Sequence, residues 1–299
     1  MIVAPRPPFL WSLHTRALAL GTRTLLAGVV NRTPDSFSDG GKFFSAENAI
    51  EHALHLLDEG ADLLDLGGES TRPGRHAVVS AQEELDRVLP VVEAVLRERP
   101  GTILSIDTYK AETARAAIAA GAEIINDVSG FLWDPAMAGT CAELECGVIL
   151  MHTRGRSEEW HTLPSLEQNE VVPLVQRGLR QSVEMAKDAG VQVNRIVLDP
   201  GFGFGKSLEE NYPLLAHLDE LHALGYPLMA GPSRKAFLGK TLAGIYGHDI
   251  GTTERGNATL AAVTAAALAG AHLVRVHDVK PAREATAIAD AIRDHSASQ

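Results

Sequence analysis

Short polar segments, each following a β-branched apolar run, carry the residues of this chain best suited to chemistry. In chain order they are Asn31, Gly67 to Arg72, Asp107, Asn126 with Asp127, His152, Asp199, Ser233 to Lys235, and Arg275 with His277. A structural cap or turn explains any one of them as well as catalysis does, but so many on one rim are harder to explain by capping. Asp107, Asp199 and the amide of Asn126 match the donor-rich edge of a heterocycle, because a carboxylate accepts two parallel N–H bonds from a guanidine-like ring edge. A planar aminopyrimidine suits them. Arg72, Arg234, Lys235, Arg275 and His277 bring positive charge or N–H donors that neutralise phosphate or carboxylate. The expected site is bipolar, with a heterocycle end and an anion end.

Two connections, Arg32 to Phe44 and Gly68 to Val79, exceed what a strand-to-helix turn needs. Long polar loops over a barrel mouth suggest lids. Asn31 and Asp35 suit Mg2+, which takes oxygen ligands and often reaches a protein through one or two groups plus substrate phosphates. Solvent-exposed turn chemistry explains Asp35 equally well. The run Gly201 to Ser207 resembles the end of a phosphate-binding P-loop, but Pro200 stands where that motif needs glycine. Its glycines suit close approach of a ligand, with Phe202 or Phe204 offering an aromatic face. Gly231, at the end of its own apolar run, is a further substrate-contact position. No His-Glu-x-x-His pair or Cys/His cluster supports zinc.

The elements that must hold these residues alternate. Eight short apolar runs read as strands: Leu25 to Asn31, Asp62 to Gly67, Ile103 to Thr108, Glu123 to Val128, Val148 to His152, Arg195 to Asp199, Pro227 to Gly231 and His272 to His277. All are nearly continuously apolar, as strands covered on both faces should be. The segments between them have helical period, and Ser80 with Glu83 spells a capping box at one helix start. Eight strand–helix units predict an α/β fold of the TIM (β/α)8 barrel type, with a doubly wound open sheet as the competitor. With no Ser/Gly-rich linker, a single barrel domain spans residues 24–299, preceded by an extension of residues 1–23 that forms a short hairpin or a plug under the barrel.

The chain of 299 residues has 27 Lys and Arg against 38 Asp and Glu, a formal charge of −11. An acidic body argues against nucleic acid and anionic membranes as partners. Two cysteines, Cys141 and Cys146, are too few for a disulfide scaffold and suit a reducing cytoplasm. Met1 to Pro8 holds no apolar run of signal-peptide length, and Ala258 to Ala271 reads as a buried helix rather than a membrane span.

Taken together, NRTPDSFSDGG (31–41), DLGGESTRPG (65–74), SIDT (105–108), INDVSG (125–130), DPGFGFGK (199–206), SRK (233–235) and RVHD (275–278) closely resemble, in order, the motifs of the pterin-binding dihydropteroate synthase family. The resemblance implies a TIM barrel, a homodimer, and a cytoplasmic transferase of folate biosynthesis that is a sulfonamide target. Such an enzyme joins 6-hydroxymethyl-7,8-dihydropterin pyrophosphate to p-aminobenzoate and releases pyrophosphate, with Mg2+ as cofactor. It further implies that Asp107, Asn126, Asp199 and Lys235 bind the pterin, that Asn31 contacts Mg2+ and pyrophosphate, and that Arg275 and His277 hold the diphosphate. Thr71 and Arg72 belong to the second loop, and Asp35, Ser36 and Phe37 close over the p-aminobenzoate side. The arylamine carboxylate falls near Ser233, Arg234 and the start of the following helix. The implied catalytic set is Asn31, Asp35, Arg72, Lys235, Arg275 and His277. Three features depart from the family pattern: Arg32, a bulky cation beside the metal position; Ala236, where some members have Ser; and the run Thr153 to Arg156. Two other readings share such a barrel, a methyltetrahydrofolate-corrinoid methyltransferase domain and a non-catalytic pterin-binding paralogue.

Overall fold

The computed structural model describes residues 3–32, 46–70 and 79–296. Asp35, Ser36, Phe37, Thr71 and Arg72 lie outside the described residues. Eight parallel strands form one sheet: β3 (Leu25–Asn31), β4 (Leu63–Gly67), β5 (Leu104–Asp107), β6 (Ile124–Asp127), β7 (Gly147–Met151), β8 (Ile196–Asp199), β9 (Met229–Ala230) and β10 (Leu273–Val276). They are ordered β8-β7-β6-β5-β4-β3-β10-β9, and a parallel bridge between Leu198 and Leu228 brings the two ends together. This is the nearly closed (β/α)8 barrel that the eight apolar runs predict.

Helices follow the strands in turn: α1 (Ala46–Asp58), α2 (Ala81–Glu98), α3 (Ala111–Ala119), α4 (Met137–Leu144), α5 (Gln168–Asp188), α6 (Asn211–Ala216), α7 (Ala236–Tyr246), α8 (Gly256–Leu268) and α9 (Val279–Ser296). Their apolar faces pack on the outer strand residues in one core that includes Leu26, Leu64, Ile106, Ile125, Leu198 and Val274. At the start of α2 the Ser80 hydroxyl accepts the Glu83 N–H, 3.1 Å away. The Glu83 carboxylate pairs with Arg87 one turn on, so half of the expected capping box forms. No helix among the described residues is long and apolar enough to cross a membrane.

Ahead of the barrel, β1 (Phe9–Ser12) and β2 (Ala17–Leu20) pair as an antiparallel hairpin. Trp11, Leu13 and Leu20 join Leu25, Ala27, Leu63, Ile124, Ile149, Val197, Met229 and Leu273 in a second apolar cluster. The hairpin thus fills the floor of the barrel, and Trp11 Nε1 donates to the Arg195 carbonyl at 2.8 Å. Its approach requires glycine at 147, where a Cβ would come within 2.8 Å of Leu13 Cδ2.

Candidate active site

Side chains two apart on a strand share a face. Leu63, Ile124, Val197 and Leu273 face the barrel floor, so Asp65 and Gly67, Asn126, Asp199, and Arg275 and His277 point into the same interior, nearer the C-terminal mouth. Register aligns them around the ring: Asn31 pairs with Gly67, Gly67 with Asp107, Asp107 with Asn126, and Met151 with Asp199. The apolar floor therefore gives way to a polar upper layer.

Arg275 organises that layer. Its Nε donates to Asp65 Oδ2 at 2.5 Å and its Nη2 to Asp107 Oδ2 at 2.9 Å, while Asn126 Nδ2 donates to Asp65 Oδ2 at 3.0 Å. Asp65 Oδ1, Asn126 Oδ1 and the Ser105 hydroxyl are buried and make no hydrogen bond among the described residues. Burial pushes the Asp107 carboxyl up, against the pull of Arg275 and with the repulsion of Asp65. It also pushes Asp199 up to about 6, against the Gly201 N–H bond and the charges of Lys235, Arg275 and Lys206. For Arg275, burial is outweighed by Asp65 and Asp107, and its guanidinium is held above its ordinary value. The sequence separates acids from cations into two ends; the structure makes Arg275 a member of the acid cluster, bridging both.

Lys235 closes one side. Its ammonium sits 4.1 Å over the Phe204 ring, and glycine at 203 leaves room for the lysine stem, which a Cβ there would approach to 3.4 Å. Phe204 is half-buried and meets Trp160 edge-on. Phe202 is a correction: it is 1% exposed, stacked on Phe237 in the core, and offers no face to a ligand. Gly231 lies beside the acids, where a Cβ would stand 3.8 Å from Asp199 Oδ2 and 3.7 Å from Arg275 Cβ. Asn31 joins the same rim, its Oδ1 being 3.1 Å from a Cβ built at Gly67.

The SRK and RVHD segments are tied together twice. Ser233 Oγ is 2.9 Å from His277 Nδ1 and accepts the His277 backbone N–H at 3.3 Å. The hydroxyl thus holds both the ring and the backbone of His277 and leaves Nε2 as the ring nitrogen not engaged by Ser233. Arg234 donates to both Asp278 oxygens, at 3.2 and 2.6 Å. It is therefore a strut between two strand-end loops rather than the ligand-binding cation the sequence suggests. Its φ of 58° is left-handed, a strained setting for a non-glycine residue, held by its N–H on Thr259 Oγ1 and its carbonyl under Arg255. Arg32 also differs from expectation. It leaves the mouth and donates at 2.8 Å to the carbonyls of Asp86 and Arg87. Pro90 in α2 has no N–H for the Asp86 carbonyl, so Arg32 satisfies a group the helix cannot. In the atypical run, Arg154 braces the Gly201–Lys206 loop from outside through Gly205 O (3.1 Å) and Glu210 (3.3 Å).

Sequence reasoning missed Asp65, hidden inside the apolar run LLDLG, and Lys206, a lysine only 5% exposed. The polar residue at every second position after an apolar floor residue is the signal that finds Asp65.

A family model described as pterin binding enzyme matches residues 27–277. The dihydropteroate synthase of Bacillus subtilis is 42% identical over 282 residues, 94% of this chain and 93% of that protein. Among solved structures, the Xanthomonas albilineans dihydropteroate synthase with 4-aminobenzoic acid superposes with a TM-score of 0.85 at 42% identity, covering 96% of this chain and 99% of that one. The Yersinia pestis dihydropteroate synthase with a sulfonamide drug gives 0.87 at 40% identity, covering 96% and 100%. The chain belongs to the pterin-binding enzyme family, among its dihydropteroate synthases.

Proposed function

We infer that this chain joins the CH2 of 6-hydroxymethyl-7,8-dihydropterin pyrophosphate to the amine of p-aminobenzoate, forming 7,8-dihydropteroate and releasing pyrophosphate. The observation that carries the reading of the site is the buried cluster of Asp65, Asn126, Asp107 and Arg275, with acceptor atoms Asp65 Oδ1 and Asn126 Oδ1 unmatched. Buried acceptors of this kind call for a donor-rich ligand or ordered water. Asp107, Asn126, Asp199 and Lys235 would hold the pterin, with Gly231 and Phe204 at its faces. His277 and Arg275 would meet the diphosphate. The p-aminobenzoate carboxylate would reach the amides at the start of α7, where Lys235 supplies no side-chain cap. Asp35, Thr71 and Arg72 would complete the site from the two loops. Residues 1–23 form the extension and 24–299 the barrel domain. The enzyme is assigned to the cytoplasm as a homodimer, and as a sulfonamide target.

The substitution is dissociative. The C–O bond to pyrophosphate breaks with its electron pair on the leaving oxygen, the electron-rich pterin carries the developing positive charge, and the arylamine nitrogen then forms the C–N bond and sheds a proton. No enzyme nucleophile and no obligatory base are needed. Arg275 and His277 contribute by stabilising the leaving charge, each worth about 2–4 kcal/mol of barrier by comparison with other preorganised sites. Asn31, an amide oxygen on the rim beside Asp107, fits Mg2+, which is satisfied by few protein oxygens when diphosphate supplies others. When bound, Mg2+ neutralises diphosphate charge.

Purified protein with pterin pyrophosphate, Mg2+ and p-aminobenzoate should release pyrophosphate and form dihydropteroate. Pterin binding without release supports the non-catalytic paralogue, and methyl transfer from methyltetrahydrofolate supports the corrinoid reading. Either result overturns the synthase assignment.

A further inference from the structure

Lys206 is buried under the site and does none of the chemistry above. Its Nζ donates to three carbonyls, Gly201 at 2.7 Å, His152 at 3.3 Å and Phe204 at 3.4 Å. Gly201 is thereby gripped from both sides, because its N–H donates to Asp199 Oδ1 at 2.7 Å while its carbonyl accepts from Lys206. Its φ of +67° and a Cβ position 2.0 Å from the His152 carbonyl leave that residue no alternative to glycine. The turn so held carries Phe204, on which Lys235 rests. Three carbonyls are an unusual cradle for an ammonium, since each contributes only a partial charge and the group has lost its water.

We propose that Lys206 is a positioning residue for the pterin end, fixing the Gly201–Phe204 turn and supplying from behind the positive charge that keeps Asp199 a carboxylate for a ring edge rich in N–H donors. The inference rests on the assignment of the pterin to this end of the barrel. Charged groups acting on Lys206 are Asp199 and Glu210, which favour its ammonium, and Lys235 and Arg154, which oppose it; burial outweighs them and brings Lys206 down to about 7. His152, on whose carbonyl it rests, is held well below its ordinary value by burial, by Lys206 and by Arg154, and stays neutral. Asp199 titrates at about 6. Between pH 6 and 7 the lysine is charged while the acid is still titrating, so its influence on Asp199 is greatest there.

The test is calorimetric titration of the full chain with 6-hydroxymethylpterin, from pH 6 to 8.5, on wild type, Lys206→Met and Lys206→Arg. With the charge removed, Asp199 protonates at higher pH. With the titration of Asp199 moved up one unit from about 6, its ionised fraction falls so that Lys206→Met is expected to weaken binding about threefold at pH 6.5 and about fivefold at pH 6, and much less at pH 8.5. Lys206→Arg restores the wild-type pH profile. Binding within twofold of wild type at every pH, or weakened by one factor throughout, overturns the proposal. Should both variants unfold, the Lys206 Nζ signal is followed by nuclear magnetic resonance in wild type and in Asp199→Asn, without ligand. A lower midpoint in Asp199→Asn supports the coupling, and equal midpoints refute it. A wild type that binds no pterin refutes the pterin assignment instead, and the ligand-free comparison still decides the Lys206–Asp199 coupling.

Discussion

Asp199→Asn should make the protein more stable and less able to bind its pterin. Burial lifts the Asp199 carboxyl from 3.8 to about 6. An acid whose folded value lies above its unfolded one binds its proton more tightly when folded, so stability is lost as pH rises from about 4 to about 6. At 1.36 kcal/mol per unit, ionised Asp199 costs the folded state about 3 kcal/mol above that window. The amide in Asp199→Asn mimics the protonated acid and keeps an oxygen for the Gly201 N–H, so the variant escapes most of the cost. The expected gain is about 3 kcal/mol at pH 7.5 and about half of that at pH 5, where the wild-type acid is largely protonated when folded. Scaling unfolding entropy with length makes this roughly 5 °C in Tm. Losing a charged acceptor should weaken pterin binding by about 1.5–3 kcal/mol. Denaturant unfolding at the two pH values, with pterin calorimetry alongside, measures both. A variant no more stable than wild type at pH 7.5, or a gap that does not shrink at pH 5, would refute the reasoning.

Arg275→Met removes the counter-ion of Asp65, which is 1% exposed, and of Asp107. Denaturant unfolding should show a loss of about 3–5 kcal/mol at neutral pH, smaller at pH 5, where Asp107, already pushed up by burial, holds its proton. Lys235→Ala, at a partly exposed helix start, should leave unfolding unchanged and lower kcat/KM for pyrophosphate release by about 100- to 1000-fold. Near-normal turnover would remove Lys235 from the site.

The barrel was legible because each strand is a short apolar run and the period of two carries straight into the mouth. Leu273, Arg275 and His277 share a face whatever else the chain does, and so do Val197 and Asp199. Pairing between distant segments was not legible. Arg275 meets Asp65 across 210 positions, and Arg234 meets Asp278 across 44. Residue type alone marked both arginines as anion receptors, whereas the fold gave each a carboxylate partner. Phe202 and Phe204 alternate in sequence as equals, but helix α7 brings Phe237 against one ring and leaves the other to Lys235. Lys206 read as the tail of a failed phosphate motif, since nothing local shows that Gly201, His152 and Phe204 would turn their carbonyls toward it. Arg32 faces outward for a reason that lies in Pro90, on a different element.

The central claim is that one barrel mouth holds a pterin end and an anion end on different side chains. The direct measurement is separate calorimetric titration with 6-hydroxymethylpterin and with pyrophosphate in Mg2+, on wild type, Asp107→Asn and His277→Ala. Asp107→Asn should lose pterin affinity and keep pyrophosphate, while His277→Ala should do the reverse. If each substitution weakens both ligands equally, or neither ligand at all, the division of the site is wrong.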